Sequence, residues 1–364
     1  MAGLYIHIPF CASRCIYCGF YSTTALQQRQ RYVDAVCKEM EMRRCDDAIN
    51  TIYIGGGTPS QLTIDQLRQL SLYINKVYGS ADREFTIEVN PDDVTVEYAA
   101  TLSQQGINRV SMGAQTFDDD RLHFIHRRHS AAQVPLAVQR LRDAGIRNIS
   151  VDLMYGFHNE TLADWEHDIN TALSLQVEHL SAYCLMVEED TPLYHMGIEP
   201  CDEELERQMY ELLIDKLTAA GYEHYEISNF AKPGFHSRHN SSYWKDIPYV
   251  GLGAAAHSYD GRSRSWNIAD IHAYMDAIER GERPYEEETL DEDTHYNDRI
   301  TVALRTREGL GLTTIPEKYR HHCLKEAQQF LSNGLLSHEG DFLKLTRKGL
   351  FVSDYIMSSL MYIK

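Results

Sequence analysis

The chain has 364 residues, 43% of them hydrophobic, enough for one large domain and a smaller one. Its 53 acidic against 35 basic side chains, a net charge of -18, exclude a surface suited to nucleic acid or to an anionic membrane, so any anionic ligand needs a local site. No cationic segment leads into a long apolar stretch and no window is apolar over the width of a bilayer, so a cytoplasmic protein with no integral membrane segment is expected.

Leu4, Ile6 and Ile8 alternate with Tyr5 and His7, the period of a strand, and a loop holding Cys11, Cys15 and Cys18 follows. Helical spacing of Val33, Val36, Cys37 and Met40 predicts a helix over Arg31–Met42, and "TIYI" (51–54) then runs into "GGGTPSQL". The strand–helix unit recurs. Helices are predicted over 64–77, 96–105, 134–144 and 162–175, and strands at "FTIEV" (85–89), "RVSM" (109–112), "ISVDLM" (149–154) and "HLSAY" (179–183). Six strands alternating with helices imply parallel strands joined by right-handed crossovers. Polar candidates at successive strand ends, Cys11, the 55–58 turn, Glu88 with Asn90, Gln115 and Asp152, favour an α/β partial (β/α)6 TIM-type barrel over an open doubly wound sheet.

A helix is expected over 202–220, and 225–259, rich in Gly, Ser, His and aromatics, reads as irregular. The barrel domain is placed at 1–280, the acidic stretch at 281–293 as a linker, and 294–364 as a small helical, winged-helix-like C-terminal domain. That domain reads as packing against the barrel, since only Arg347 and Lys348 lie near the wing. His123, His126 and His129 read as three-spaced histidines on an exposed helical face.

The eight cysteines divide into the cluster C-x3-C-x2-C and five scattered ones, of which Cys37 reads as core and Cys45 is uninformative. Structural zinc takes four protein ligands, and no second pair follows this one. From the residues alone, a zinc site completed by a histidine and plain structural cysteines stay open. The better match is a four-iron, four-sulfur (4Fe-4S) cluster with one iron left without a protein ligand. "GGGTP" could be a bare tight turn, and Glu88 an edge-exposed carboxylate.

The C-x3-C-x2-C stretch resembles the signature of the radical S-adenosylmethionine (SAM) superfamily. In that superfamily the open iron binds SAM, and an electron from the cluster cleaves the sulfonium. Within it, "LYIHIPFC", "CIYCGFYS", "YIGGGTPSQL", "IEVNP", "RVSMGAQTFDDDRL", "VDLMYGF" and "YEISNFAKPGFHSRHNSSYW" resemble the oxygen-independent coproporphyrinogen III oxidases and their relatives, including the HemW-type heme chaperones. The resemblance implies metal ligation by Cys11, Cys15 and Cys18. It also implies SAM contacts at Tyr5, Tyr17, Gly56, Gly57, Thr58, Glu88, Gln115, Arg127 and Asp152. Three features point to the chaperone branch: Phe20 where the oxidases carry a further cysteine, a cysteine motif close to the first residue, and "HNSSYW" (239–244).

By this resemblance His239 would ligate heme iron, with Tyr243 and Trp244 against the porphyrin. The alternative is a loop anchored by its aromatics with the histidine hydrogen-bonded. The implied function is a heme chaperone holding a cluster, SAM and heme as cargo, with acceptor hemoproteins as partners, an electron donor if the cluster is redox-active, and a homodimer left open. The competing reading is an enzyme, a coproporphyrinogen dehydrogenase forming protoporphyrinogen IX by radical oxidative decarboxylation. An anionic chain of this kind is expected to bind no nucleic acid.

Overall fold

The structure, a computed structural model, describes residues 2–44, 48–80 and 82–363; Cys45 lies outside the described residues. Six strands alternate with helices from the start of the chain: β1 (Ala2–Ile8), α1 (Arg29–Met42), β2 (Ile49–Gly56), α2 (Ile64–Tyr78), β3 (Glu84–Val89), α3 (Val96–Gln104), β4 (Arg109–Gln115), α4 (Asp119–Phe124), α5 (Gln133–Asp143), β5 (Asn148–Tyr155), α6 (Leu162–Ser174) and β6 (His179–Cys184). They lie side by side in chain order, each neighbouring pair parallel.

Alternation decides which way each side chain points. Leu4, Ile6 and Ile8 of β1 and Ile52 and Ile54 of β2 face the helices and are fully buried, each stabilising the fold by about 1.5–3 kcal/mol. Val33, Val36, Cys37 and Met40 of α1 meet them, so Cys37 is the core residue its neighbours imply. Tyr5, His7, Tyr53, Glu88, Ser111 and Asp152 occupy the other face, toward the barrel interior. Helix α2 is started by a capping box in which Thr63 and Gln66 satisfy each other's backbone N–H groups.

The segment read as irregular is ordered. After α7 (Pro192–His195) and α8 (Glu203–Ala219), β7 (Glu223–Glu226) and β8 (Asn229–Ala231) add antiparallel strands beyond β6. Helix α9 (Arg238–Trp244) follows, and β9 (Tyr249–Leu252) pairs parallel with β1. Strands β10 (His257–Tyr259) and β11 (Ser263–Asn267), helix α10 (Ile271–Arg280) and β12 (Tyr285–Thr289) complete a 12-stranded sheet. Within the acidic stretch, Tyr285–Thr289 is an edge strand that pairs along all five residues with β11, its carboxylates exposed. A row of charged side chains is a common way to protect a sheet edge.

Glu39 ties α1 to this added half. Fully buried, it accepts from Gly253 N (2.8 Å), Asn267 Nδ2 (2.8 Å) and Tyr274 OH (2.6 Å).

The C-terminal unit has its own core running from Tyr296 to Leu360. It comprises α11 (Glu292–Leu304), β13 (Leu310–Gly311), α12 (Glu317–Ser332), β14 (Leu336–Glu339), β15 (Phe342–Leu345), α13 (Arg347–Leu350) and α14 (Ser353–Leu360). The small sheet in the order β13-β15-β14 beside helices has the winged-helix form. No helix among the described residues is long and apolar enough to cross a membrane.

Candidate cluster and cofactor site

The loop after β1 and the C-terminal ends of β2 to β6 enclose a cavity of about 610 Å³, a size typical of ligand sites. Cys11, Cys15 and Cys18 all line it and are free thiols. The loop carrying them is held at both ends: Cys11 N donates to Thr23 O (2.9 Å), Thr23 N to Pro9 O (2.7 Å) and Leu193 N to Ile16 O (2.9 Å). Ile16 itself is buried in a satellite cluster with Ile125, Met154, Phe157, Leu185 and Leu193.

The glycine turn after β2 presses against this loop. A Cβ on Gly57 would lie 2.8 Å from the Pro9 carbonyl carbon and 3.0 Å from Cys11 Sγ, so only glycine permits the approach. Gly56 has a left-handed φ of 117° with the His7 ring where its Cβ would be. Thr58 Oγ1 donates to Cys11 Sγ (3.4 Å), and Arg127 Nη1 to Cys15 Sγ (3.8 Å). Arg127 also donates to Asn90 Oδ1 (2.6 Å) and to Gly113 O. Burial pushes the Cys11 and Cys18 thiols up, opposed at Cys11 by the Thr58 hydroxyl and at Cys18 by the Phe20 N–H.

These residues fit a 4Fe-4S cluster. Among the described residues no three His, Cys, Asp or Glu side chains are grouped as the ligands of a single metal ion would be. Three thiols spaced around one cavity, with a guanidinium on one and a hydroxyl on another, suit a cube whose corners are separate irons.

The residues expected at SAM divide by depth. Tyr17, Gly56, Gly57, Thr58, Glu88, Gln115, Arg127 and Asp152 line the same cavity as the cysteines. Tyr5 does not reach its wall; its OH hydrogen-bonds His7 Nδ1 (3.0 Å) and its ring stacks on Tyr53 (6.2 Å), which lines the cavity. Glu88 is interior, accepting from Tyr53 OH (2.8 Å) and Gly56 N (3.0 Å), so the edge-carboxylate alternative falls. Burial pushes its carboxyl up to about 7, and the Tyr53 hydrogen bond opposes that. Asp152 accepts from Ser111 (3.1 Å) and Ser150 (3.3 Å), its pKa also raised by burial. Gln115 has a left-handed φ of 67° at a bulge in β4, which re-aims its side chain at the cavity wall.

Arg109 was missed in the sequence, where a charged residue opening a strand reads as a strand end. It is 1% exposed and lines the cavity, with no hydrogen-bond partner for Nε or Nη1 among the described residues. Its positive charge lowers the pKa of both Glu88 and Asp152 against their burial. The expected histidine face also fails: α4 ends at Phe124, His126 adopts a φ of 62°, and His129 turns inward to bond Ala114 O (3.1 Å), because the chain breaks helix there.

His239, Tyr243 and Trp244 do not line this cavity, although Asn240 of the same helix does. Helix α9 plugs the N-terminal floor of the barrel, opposite the cysteines. Glu84, at the start of β3, accepts from the N–H groups of Arg238 (3.0 Å) and His239 (2.8 Å) at the helix N-terminus. His239 is 1% exposed; Nδ1 bonds Thr51 Oγ1 (2.9 Å), Nε2 bonds Tyr243 OH (2.8 Å), and the ring stacks on Tyr53 at 5.2 Å. Its geometry is that of the hydrogen-bonded histidine rather than of an open iron ligand. Tyr243 packs edge-on to Tyr249, and Trp244 lies under the Arg305 guanidinium at 5.4 Å.

Residues 5–172 match the model of the radical SAM superfamily, and residues 290–352 that of the HemN C-terminal domain. The chain is 36% identical to the heme chaperone HemW of Bacillus subtilis over 99% of both chains. The chain belongs to the HemW family. It is also 32% identical to the heme chaperone HemW of Lactococcus lactis, over 98% of this chain and 96% of the relative. The structure of coproporphyrinogen III oxidase (HemN) from Escherichia coli superimposes with a TM-score of 0.87 at 21% identity, covering 99% of this chain and 90% of that one. That likeness is one of fold, the radical SAM partial barrel with its C-terminal unit. Membership of the HemW family carries with it the radical SAM implication of a 4Fe-4S cluster and SAM.

Proposed function

We propose that this protein holds a 4Fe-4S cluster and SAM at the cavity, binds heme, and hands the heme to acceptor hemoproteins in the cytoplasm. The observation that carries the reading is 36% identity across 99% of both chains with a protein named as a heme chaperone. Phe20 supports it, standing exposed at the cavity where the oxidases have a further cysteine.

Cys11, Cys15 and Cys18 would hold three irons, with Arg127 and Thr58 donating to the sulfurs and so stabilising their negative charge. The cluster supplies an electron to the sulfonium of SAM when both are bound, and an external electron donor belongs to the reading. Glu88, held by Tyr53 and Gly56, presents carboxylate oxygens to ligand hydroxyls or amines. Asp152, held by its serines, does the same from β5, two strands along the sheet. The left-handed turn at Gly56, where the His7 ring leaves no room for a Cβ, brings its backbone N–H onto Glu88 and so helps to aim that carboxylate.

Anaerobic titration of the cluster-loaded protein with hemin, beside an assay with SAM, reductant and coproporphyrinogen III, tests the proposal. Saturable hemin binding without tetrapyrrole product is expected. Formation of protoporphyrinogen IX that disappears in Cys15→Ala, or no saturable hemin binding, overturns it.

A further inference from the structure

The floor of the barrel offers heme no open histidine, but the cluster end carries an apolar surface with no partner. Among the described residues fifteen large hydrophobic side chains are exposed, and five of them, Phe20, Tyr183, Met186, Tyr194 and Met196, lie on the cysteine loop or in the segment 183–196. Single exposed apolar residues are ordinary; a concentration at one cavity mouth marks a binding surface.

Phe20 is 70% exposed and Met186 67%, and both line the cavity beside Tyr183, whose ring is 45% exposed while its hydroxyl reaches inward to Ser181 near Asp152. The two segments touch: a Cβ on Gly19 would lie 2.5 Å from Glu188 Oε2, which brings the neighbours of Phe20 and Met186 together. Arg14 lines the same mouth, exposed and without an ion pair among the described residues, in a chain of net charge -18. An aromatic ring, a phenol and a polarizable thioether beside a free guanidinium complement one kind of ligand: a flat apolar ring bearing carboxylates.

We infer that heme seats on this rim, its face against Phe20, Tyr183 and Met186 and a propionate toward Arg14, beside the cluster loop and outside the polar interior that serves SAM. The site rests on the heme-chaperone reading and gives it a location. Cargo and cluster then share one cavity, so occupancy of one bears directly on the other.

Hemin titration of cluster-loaded protein, followed by Soret difference spectra, tests the site in Phe20→Ser, Met186→Ser and Arg14→Glu, with the equally exposed Leu72→Ser on α2 as the control. Each rim variant is expected to weaken hemin about tenfold, roughly 1.4 kcal/mol, with Arg14→Glu losing its effect at high salt and Leu72→Ser unchanged. Met186 lies outside the cysteine loop, so its variant reads the rim even where Phe20→Ser disturbs the cluster. Wild-type affinity in Met186→Ser and Arg14→Glu overturns the rim site alone. No saturable binding by the wild-type protein overturns the heme reading and the site together.

Discussion

At the scale of single residues, burial sets the behaviour of the histidines. His239 and His129 are 1% and 3% exposed, and burial lowers each to a pKa of about 3; His7, 6% exposed, is lowered to about 4. A histidine whose folded pKa lies below its unfolded value stays neutral in the fold while the unfolded chain takes up a proton. Stability is therefore complete above about pH 6.5 and is lost as pH falls toward the folded pKa, at about 1.4 kcal/mol per pH unit for each such histidine. Urea unfolding of the protein is expected to show a midpoint that drops steeply from pH 6.5 to 4.5. In His239→Gln, which keeps polar ends for Thr51 and Tyr243, the drop should be shallower by one histidine's share; an identical slope would refute a neutral buried His239. "HNSSYW" offered a hydrogen-bonded histidine as one alternative and holds one partner, Tyr243, but the burial and the second partner, Thr51, 188 residues away, were not visible in it.

At the scale of elements, the turn after β2 and the cysteine loop are one device. Gly57 N donates to Ile8 O (2.9 Å), which seats the turn beside the end of β1, and the missing Cβ lets Cys11 Sγ close over it. Gly57→Ala is expected to reduce iron and sulfide incorporation on anaerobic reconstitution far more than Thr58→Ala, which removes one long hydrogen bond to Cys11 Sγ worth about 1–2 kcal/mol. Equal iron content in the two variants would contradict that packing. The strands, helices and cysteine loop were legible in the sequence because alternation, 3.6-residue spacing and clustered cysteines are local patterns. The exposed helical face assigned to His123, His126 and His129 was not, since the helix stops at Phe124 and the β4 bulge draws His129 inward.

At the scale of the whole molecule, Glu226 docks the C-terminal unit on the sheet. Its side chain is fully buried and accepts from Arg305 Nε (2.9 Å), Ser228 N (3.0 Å) and Asn229 Nδ2 (2.5 Å). Ile227 N to Arg305 O and Arg307 N to Tyr225 O, both 3.1 Å, continue the junction, and Arg305 covers Trp244 of the floor helix. Glu226→Ala leaves those donors unmatched at a cost of about 2–3 kcal/mol, discounted from the fully buried case because Arg305 is one-third exposed. Limited proteolysis is expected to cut the variant within 290–308 well before the barrel; cleavage at the wild-type rate would show that the junction does not depend on Glu226.

The sequence alone determined the β/α alternation, the three thiols with their glycine turn, and the resemblance that led to the HemW family, since each is carried by neighbours in the chain. Only the tertiary structure decided what those residues face. It put Arg109 inside the cavity with Nε and Nη1 unpartnered among the described residues, gathered Phe20, Tyr183 and Met186 around it, and made Tyr285–Thr289 of the acidic stretch an edge strand. It also carried "HNSSYW" to the floor of the barrel, opposite the cysteines, where Glu84 caps its first turn. The physical reason is that burial and hydrogen-bond partnership are long-range quantities: a side chain's charge, exposure and reach are set by strands far away in sequence.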